Sequence, residues 1–137
     1  MDIKSYRDLQ VWQKAHELTL LVFKITDSFL RSDLYGIVSQ VRRSSSSVAA
    51  NIAEGFGRGT TKEFIRVLQI ARGELEDTRY FMLLSRDLHK ISHEEFARID
   101  AECDSVGRLM NALARSLRAR LVAHAQSPVT SHQSRPS

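Results

Sequence analysis

Cysteine is nearly missing from this chain. The single Cys103 cannot close an intrachain disulfide, which suits a reducing compartment and makes the cytoplasm the expected location. Proline is as scarce: Pro128 and Pro136 are the only two, so nothing interrupts helices across the first 120 positions. Six glycines punctuate 137 residues, and no apolar–polar alternation of the strand type is sustained. Long apolar runs are absent as well. The most apolar, Leu18 to Ile25, is broken by Thr19 and Lys24 and could not cross a bilayer. The opening Met1-Asp2-Ile3-Lys4-Ser5 lacks the apolar stretch of a secretory signal, so no membrane partner is expected. What remains, 42% apolar and 26% charged residues, is the composition of one globular domain.

The body of the chain also lacks an excess of either charge. Residues 1–114 hold sixteen Lys and Arg against sixteen Asp and Glu, and the net charge of +4 comes from Arg115, Arg118, Arg120 and Arg135. A basic end on a neutral body supports nucleic-acid binding less than a basic face would. Arginines at the end of the last helix also complement the negative end of its dipole.

Apolar residues at three- and four-residue spacing predict four helices. The first runs from about Asp8 to Phe29 with Leu9, Trp12, Ala15, Thr19, Val22, Thr26 and Phe29 in its stripe, widened by Val11, Leu18 and Ile25. The second is capped by Ser32 or Asp33 and extends to about Phe56, with Leu34, Ile37, Val38, Val41, Ser45, Val48 and Ile52 facing the core. Gly55-Phe-Gly-Arg-Gly59 ends it, and Thr60-Thr-Lys-Glu63 reads as a capping box for the third. That helix carries Phe64, Leu68, Ala71, Leu75, Thr78, Met82 and Leu88. Ser92-His-Glu-Glu95 repeats the box, and Phe96, Ile99, Cys103, Val106, Met110, Leu113, Leu117 and Leu121 form the fourth stripe. The expected architecture is all-α, an antiparallel up-down-up-down four-helix bundle over residues 1–123, followed by a disordered tail over 124–137.

No catalytic set emerges, and the chain is expected not to be an enzyme. His89 and His93 are separated by a helix boundary and need not share a face, and Cys103 occupies a core position. Ser44–Ser47 has no histidine partner at a recognisable spacing. The glycines at 55, 57 and 59 follow a helix, not a strand, and no Gly-Lys-Ser/Thr completes a phosphate loop. No cofactor or metal is expected.

Helix two is the informative segment. At about 100° per residue, Gly36, Gln40, Arg43, Ser47, Asn51, Glu54 and Arg58 form one polar stripe beside the core face. The other flank, Ser39, Arg42, Ser46, Ala49, Ala50 and Ala53, is nearly all small, which permits close approach of another helix. The polar stripe supports two readings. One is a hydrogen-bonded network inside the bundle or between subunits, made of Gln40, Asn51 and Glu54 with Arg43. The other places Arg43 and Arg58 on a ligand or RNA. Arg42 diverges from Arg43 by about 100° and takes the more exposed role, so Arg42, Arg43 and Arg58 are the candidate nucleic-acid contacts. Ser46, Ala49, Ala50 and Ala53 are the candidate oligomer interface. Arg72, Arg79 and Arg86, seven apart and interleaved with Glu76 and Asp87, suit a solvated face of helix three.

Certain of these residues carry a family resemblance. Tyr6-Arg-Asp-Leu-Gln-Val-Trp-Gln-Lys-Ala15, Tyr35-Gly36, Gln40-Val-Arg-Arg43, Asn51-Ile-Ala-Glu-Gly-Phe-Gly-Arg58, Glu63-Phe64 and Gln69-Ile-Ala-Arg-Gly73 resemble the bacterial 23S rRNA intervening-sequence protein family over roughly residues 5–120. Leu30, Ser44–Ser46 and Ala49 depart from its pattern. The resemblance implies a four-helix bundle and a ring-like homo-oligomer, a pentamer. It also implies kinship with the nucleic-acid-binding accessory proteins of diversity-generating retroelements. The function it implies is that of an RNA-associated accessory or assembly factor; the alternative is a protein-interaction module that binds no nucleic acid.

Overall fold

Threonine and serine caps set where two of the long helices begin. Thr60 accepts a hydrogen bond from the Glu63 amide at 3.2 Å, while the Glu63 carboxylate turns forward to Arg66 at 2.9 Å. Ser92 and Glu95 make both bonds of the reciprocal box, each at 3.0 Å. A second reciprocal box, Ser5 with Asp8, opens the chain's first turn and was not expected from the sequence. A computed structural model of the chain describes residues 3–133, with side-chain surroundings for 3–125. Its long helices are α1 (Gln10–Thr26), α2 (Ser39–Gly57), α3 (Thr61–Asp87) and α4 (His93–Gln133). Short 3-10 turns lie at Tyr6–Asp8 and Arg31–Asp33, a π turn lies at Leu34–Val38, and no strand occurs among the described residues.

The four helices form a bundle around one core, with α1 and α3 each packed against both α2 and α4. Leu18, Val22, Val41, Val48, Ile52, Leu75, Met82, Ile99, Val106 and Met110 fill its centre, each 2% exposed or less. Each such side chain contributes roughly 1.5–3 kcal/mol of burial before the entropy of ordering it is subtracted. Hydroxyls enter this core with partners. Thr19 donates to the Ser45 carbonyl at 3.0 Å, joining α1 to α2, and Ser44 and Thr78 bond at 2.9 Å between α2 and α3. Among the described residues, no buried side-chain nitrogen or oxygen lacks a partner, as burial in an apolar interior requires.

Several expectations need correction at the helix ends. Helix two is not capped by Ser32 or Asp33. The backbone passes through the 3-10 and π turns, leaves the helical region at Gly36 (φ −113°, ψ −110°), and enters α2 only at Ser39. Asp33 instead accepts a bond from Lys90 at 2.8 Å, tying this junction to the α3–α4 turn. Leu34, Leu88 and Leu121 stand 40%, 53% and 37% exposed because they lie where the stripe has run past its neighbours. The fourth helix does not stop near Ala123: helical backbone continues to Gln133, covering much of the segment expected to be a disordered tail. Residues 118–125 are already exposed, so the helix outruns the core that its stripe serves. Residues 134–137 lie outside the described residues. The end of α2 falls where expected, with Gly59 at φ +85°, a left-handed conformation that glycine adopts without a Cβ clash.

Candidate nucleic-acid interface

The arginines of α2 occupy roles opposite to those expected. Arg42 is the restrained one. Its Nε donates to Thr26 Oγ1 at 3.0 Å, its Nη2 reaches the Phe23 carbonyl at 3.4 Å, and its guanidinium lies 4.6 Å from the Phe23 ring centroid. Arg43 has a side chain 57% exposed and reaches across to Glu74 of α3 at 3.3 Å. The wheel angle separating the two residues was right, but α1 lies on the Arg42 side and captures it.

The polar stripe is likewise not a buried network within this chain. Gln40, Arg43, Glu54 and Arg58 are exposed and Asn51 is half-buried. Glu54 pairs with Arg58 one turn away, not with Arg43. The hydrogen bond from Arg58 to Glu54, followed by that carboxylate's charge, raises the guanidinium above its ordinary value. On the small flank, Ala49 packs into the core at 7% exposure and is removed from the candidate interface. Ser46 and Ala50 remain exposed and Ala53 half-buried. On α1, which bonds α2 through Thr19 and Ser45, Leu20 and Phe23 stand 56% and 41% exposed.

The α3 arginines are interhelical ties, not a solvated face. Arg79 donates to Asp100 at 3.0 Å and to Asp104 at 2.7 Å, holding α3 to α4 with its own side chain only 24% exposed. Burial pulls its guanidinium down, but the bond to Asp104 and the surrounding negative charge outweigh that and leave it raised. Arg86 lies 4.6 Å from the Phe96 ring centroid of α4, and Arg72 donates to Asn111 of α4. His89, at φ +61°, sits in the α3–α4 turn, and His93 opens α4.

One end of the bundle concentrates positive charge. There the opening of α3 meets the later part of α4, and a recess lined by Thr60, Thr61, Lys62, Arg120, Leu121 and His124 lies between them. Residues 58–73 hold four Lys and Arg against Glu63 alone, and residues 105–125 hold four arginines and no acid. Glu63 is held below the usual carboxylate range chiefly by its hydrogen bond to Arg66. Lys62, Arg115, Arg118 and Arg120 are exposed, and none pairs with a carboxylate among the described residues. By contrast, residues 74–104 hold nine acids against four bases. The arginines at 115, 118 and 120 were visible in the sequence. That Arg120 shares a recess with Lys62 was not, because it depends on which helix ends meet.

Fold and surface define a small helical-bundle protein whose exposed chemistry is cationic at one end. The chain belongs to the 23S rRNA-intervening sequence protein family, whose model matches residues 7–112. Among solved structures, a protein of the S23 ribosomal protein family from Bacteroides thetaiotaomicron is similar, with a TM-score of 0.68 and 23% sequence identity. The match covers 76% of this chain and 97% of that one, and at this identity it shows a shared fold. Comparison with curated proteins gives no match.

Proposed function

We propose that this protein is a non-enzymatic, self-associating helical bundle that binds RNA as an accessory or assembly factor in the cytoplasm. The observation that carries the RNA reading is the basic end, where Lys62, Arg115, Arg118 and Arg120 stand exposed without acidic partners among the described residues. Phosphates are the polyanion such a surface suits, and a ring of copies would repeat it around an axis. Arg58 flanks this end from the C-terminus of α2. Arg43 remains an exposed candidate, whereas Arg42 is too restrained to reach far from α1. An up-down-up-down order is supported by α1 residues 19 and 26 bonding α2 residues 45 and 42, in reversed sequence.

A second observation supports self-association. Leu20 and Phe23 of α1 and the small Ser46 and Ala50 of α2 all stand exposed on two helices joined at Thr19 and Ser45, surface that another copy could cover. If that face alone were the functional one, the protein would be an interaction module with no nucleic-acid partner.

Filter binding of single-stranded RNA across a salt series separates the two. Wild type should bind with a strong salt dependence, and replacing Lys62, Arg115 and Arg120 by alanine should flatten the log–log slope by roughly two units. Salt-independent binding, or none, would retire the RNA reading and leave the interaction module.

A further inference from the structure

Away from the helix ends, a cleft of about 280 Å³ lies between α3 and α4. Its floor includes Leu68 and Met110, each only 2% exposed. Its polar lining comes from Gln69 and Arg72 on α3 and from Asn111 and Arg118 on α4. The volume falls just below the usual range of ligand sites, roughly 300–1,000 Å³, so it suits a single ring system and not an extended ligand.

The hydrogen-bonding character of this lining is one-sided. Arg72 donates to Asn111 Oδ1 across the cleft, and the Asn111 Nδ2 hydrogens remain to donate. Arg72 keeps further N–H groups, and Arg118 can only donate. Against these donors stand two amide oxygens, Gln69 Oε1 and the second lone pair of Asn111 Oδ1. A planar group entering above Met110 would therefore meet a surface rich in donors, with the Arg72 guanidinium placed for stacking or hydrogen bonding.

We infer that this cleft receives one base of a bound single-stranded RNA and favours guanine, whose O6 and N7 present two adjacent acceptors. Arginine donating to that pair is the commonest specific contact between side chains and bases. Unstacked bases in single strands are also taken up on arginine planes and apolar floors. Arg118 is continuous with the basic end, so a strand held there by its phosphates passes the cleft mouth. The assignment rests on the RNA reading above but concerns which base is read, not whether RNA binds.

Two 12-mer RNAs of equal charge decide it, oligo(A) and the same strand with two central adenosines replaced by guanosines, measured by fluorescence anisotropy at fixed salt. Wild type should bind the guanosine strand roughly tenfold more tightly. Asn111→Ala and, separately, Gln69→Ala should narrow the ratio between the two strands, costing the guanosine strand several-fold more affinity than oligo(A), because neither residue carries a charge for phosphate. Both positions are exposed, and unaltered thermal melts would show that the variants fold. Equal affinity of wild type for the two strands would overturn the base assignment and leave RNA binding standing. Failure to bind either strand would overturn both. Displacement of the strand by stoichiometric GMP would make the cleft a free-nucleotide site and overturn its assignment to RNA.

Discussion

Arg58 and Arg79 look alike in the sequence, each with a glutamate one helical turn before it, but they hold different things. Arg58 pairs with Glu54 on its own helix, at the surface. Arg79 joins two helices through two aspartates. Exposed ion pairs contribute little, while breaking a less exposed one leaves charges facing each other without compensation. Arg79→Ala should lower unfolding free energy by about 1–2 kcal/mol, since Arg79 is mostly covered while its two aspartates are partly open to solvent. Arg58→Ala should leave the urea midpoint unmoved. Cys103 offers a pH-dependent counterpart. Burial pushes its thiol from an ordinary value of 9.0 up to about 12. Because the folded state holds the proton more tightly, the resulting stability is intact below pH 9 and is lost as pH rises from there toward 12. Urea titrations at rising alkaline pH should therefore show wild type losing stability faster than Cys103→Ala, and parallel losses would contradict the assignment. The Arg42 and Arg43 assignments show why such roles escape sequence reading. Helical spacing fixes the angle between two side chains but not which neighbouring helix stands at that angle.

Elements were legible where local chemistry decides them. The stripe of α1, the side-chain cap at Thr60, the capping box at Ser92 and the glycine stop at Gly59 all depend on residues close in sequence. The start of α2 was illegible because no local cap marks it, and the backbone departs from helix at Gly36 before recovering. Glycines within helices illustrate the same divide. A Cβ on Gly55 would lie 2.7 Å from Phe64 Cδ1 and 3.3 Å from Val67 Cβ, while one on Gly73 would meet nothing within 4 Å. Gly55→Ala should thus cost about 1–3 kcal/mol through overpacking at the α2–α3 contact. Gly73→Ala should add about 0.4–1 kcal/mol by restricting the unfolded chain. Thermal melts of both variants test this directly, and shifts of the same sign would mean that the α2–α3 approach is looser than described.

At the scale of the whole molecule, what the sequence could not supply was adjacency: which helix ends meet, and which faces remain uncovered. If the proposed self-association uses the small flank of α2, Ala50→Glu should shift sedimentation toward the monomer. A wild type that sediments as a monomer at micromolar concentration would remove the interface. The segregation of charge has a separate physical consequence. With nine acids against four bases in residues 74–104, and unopposed arginines beyond, the isolated chain carries an electric dipole moment out of proportion to its small net charge. Such a molecule turns in the field of a polyanion before it arrives, so its approach is oriented and the productive encounter is selected during diffusion, an advantage that added salt would erase.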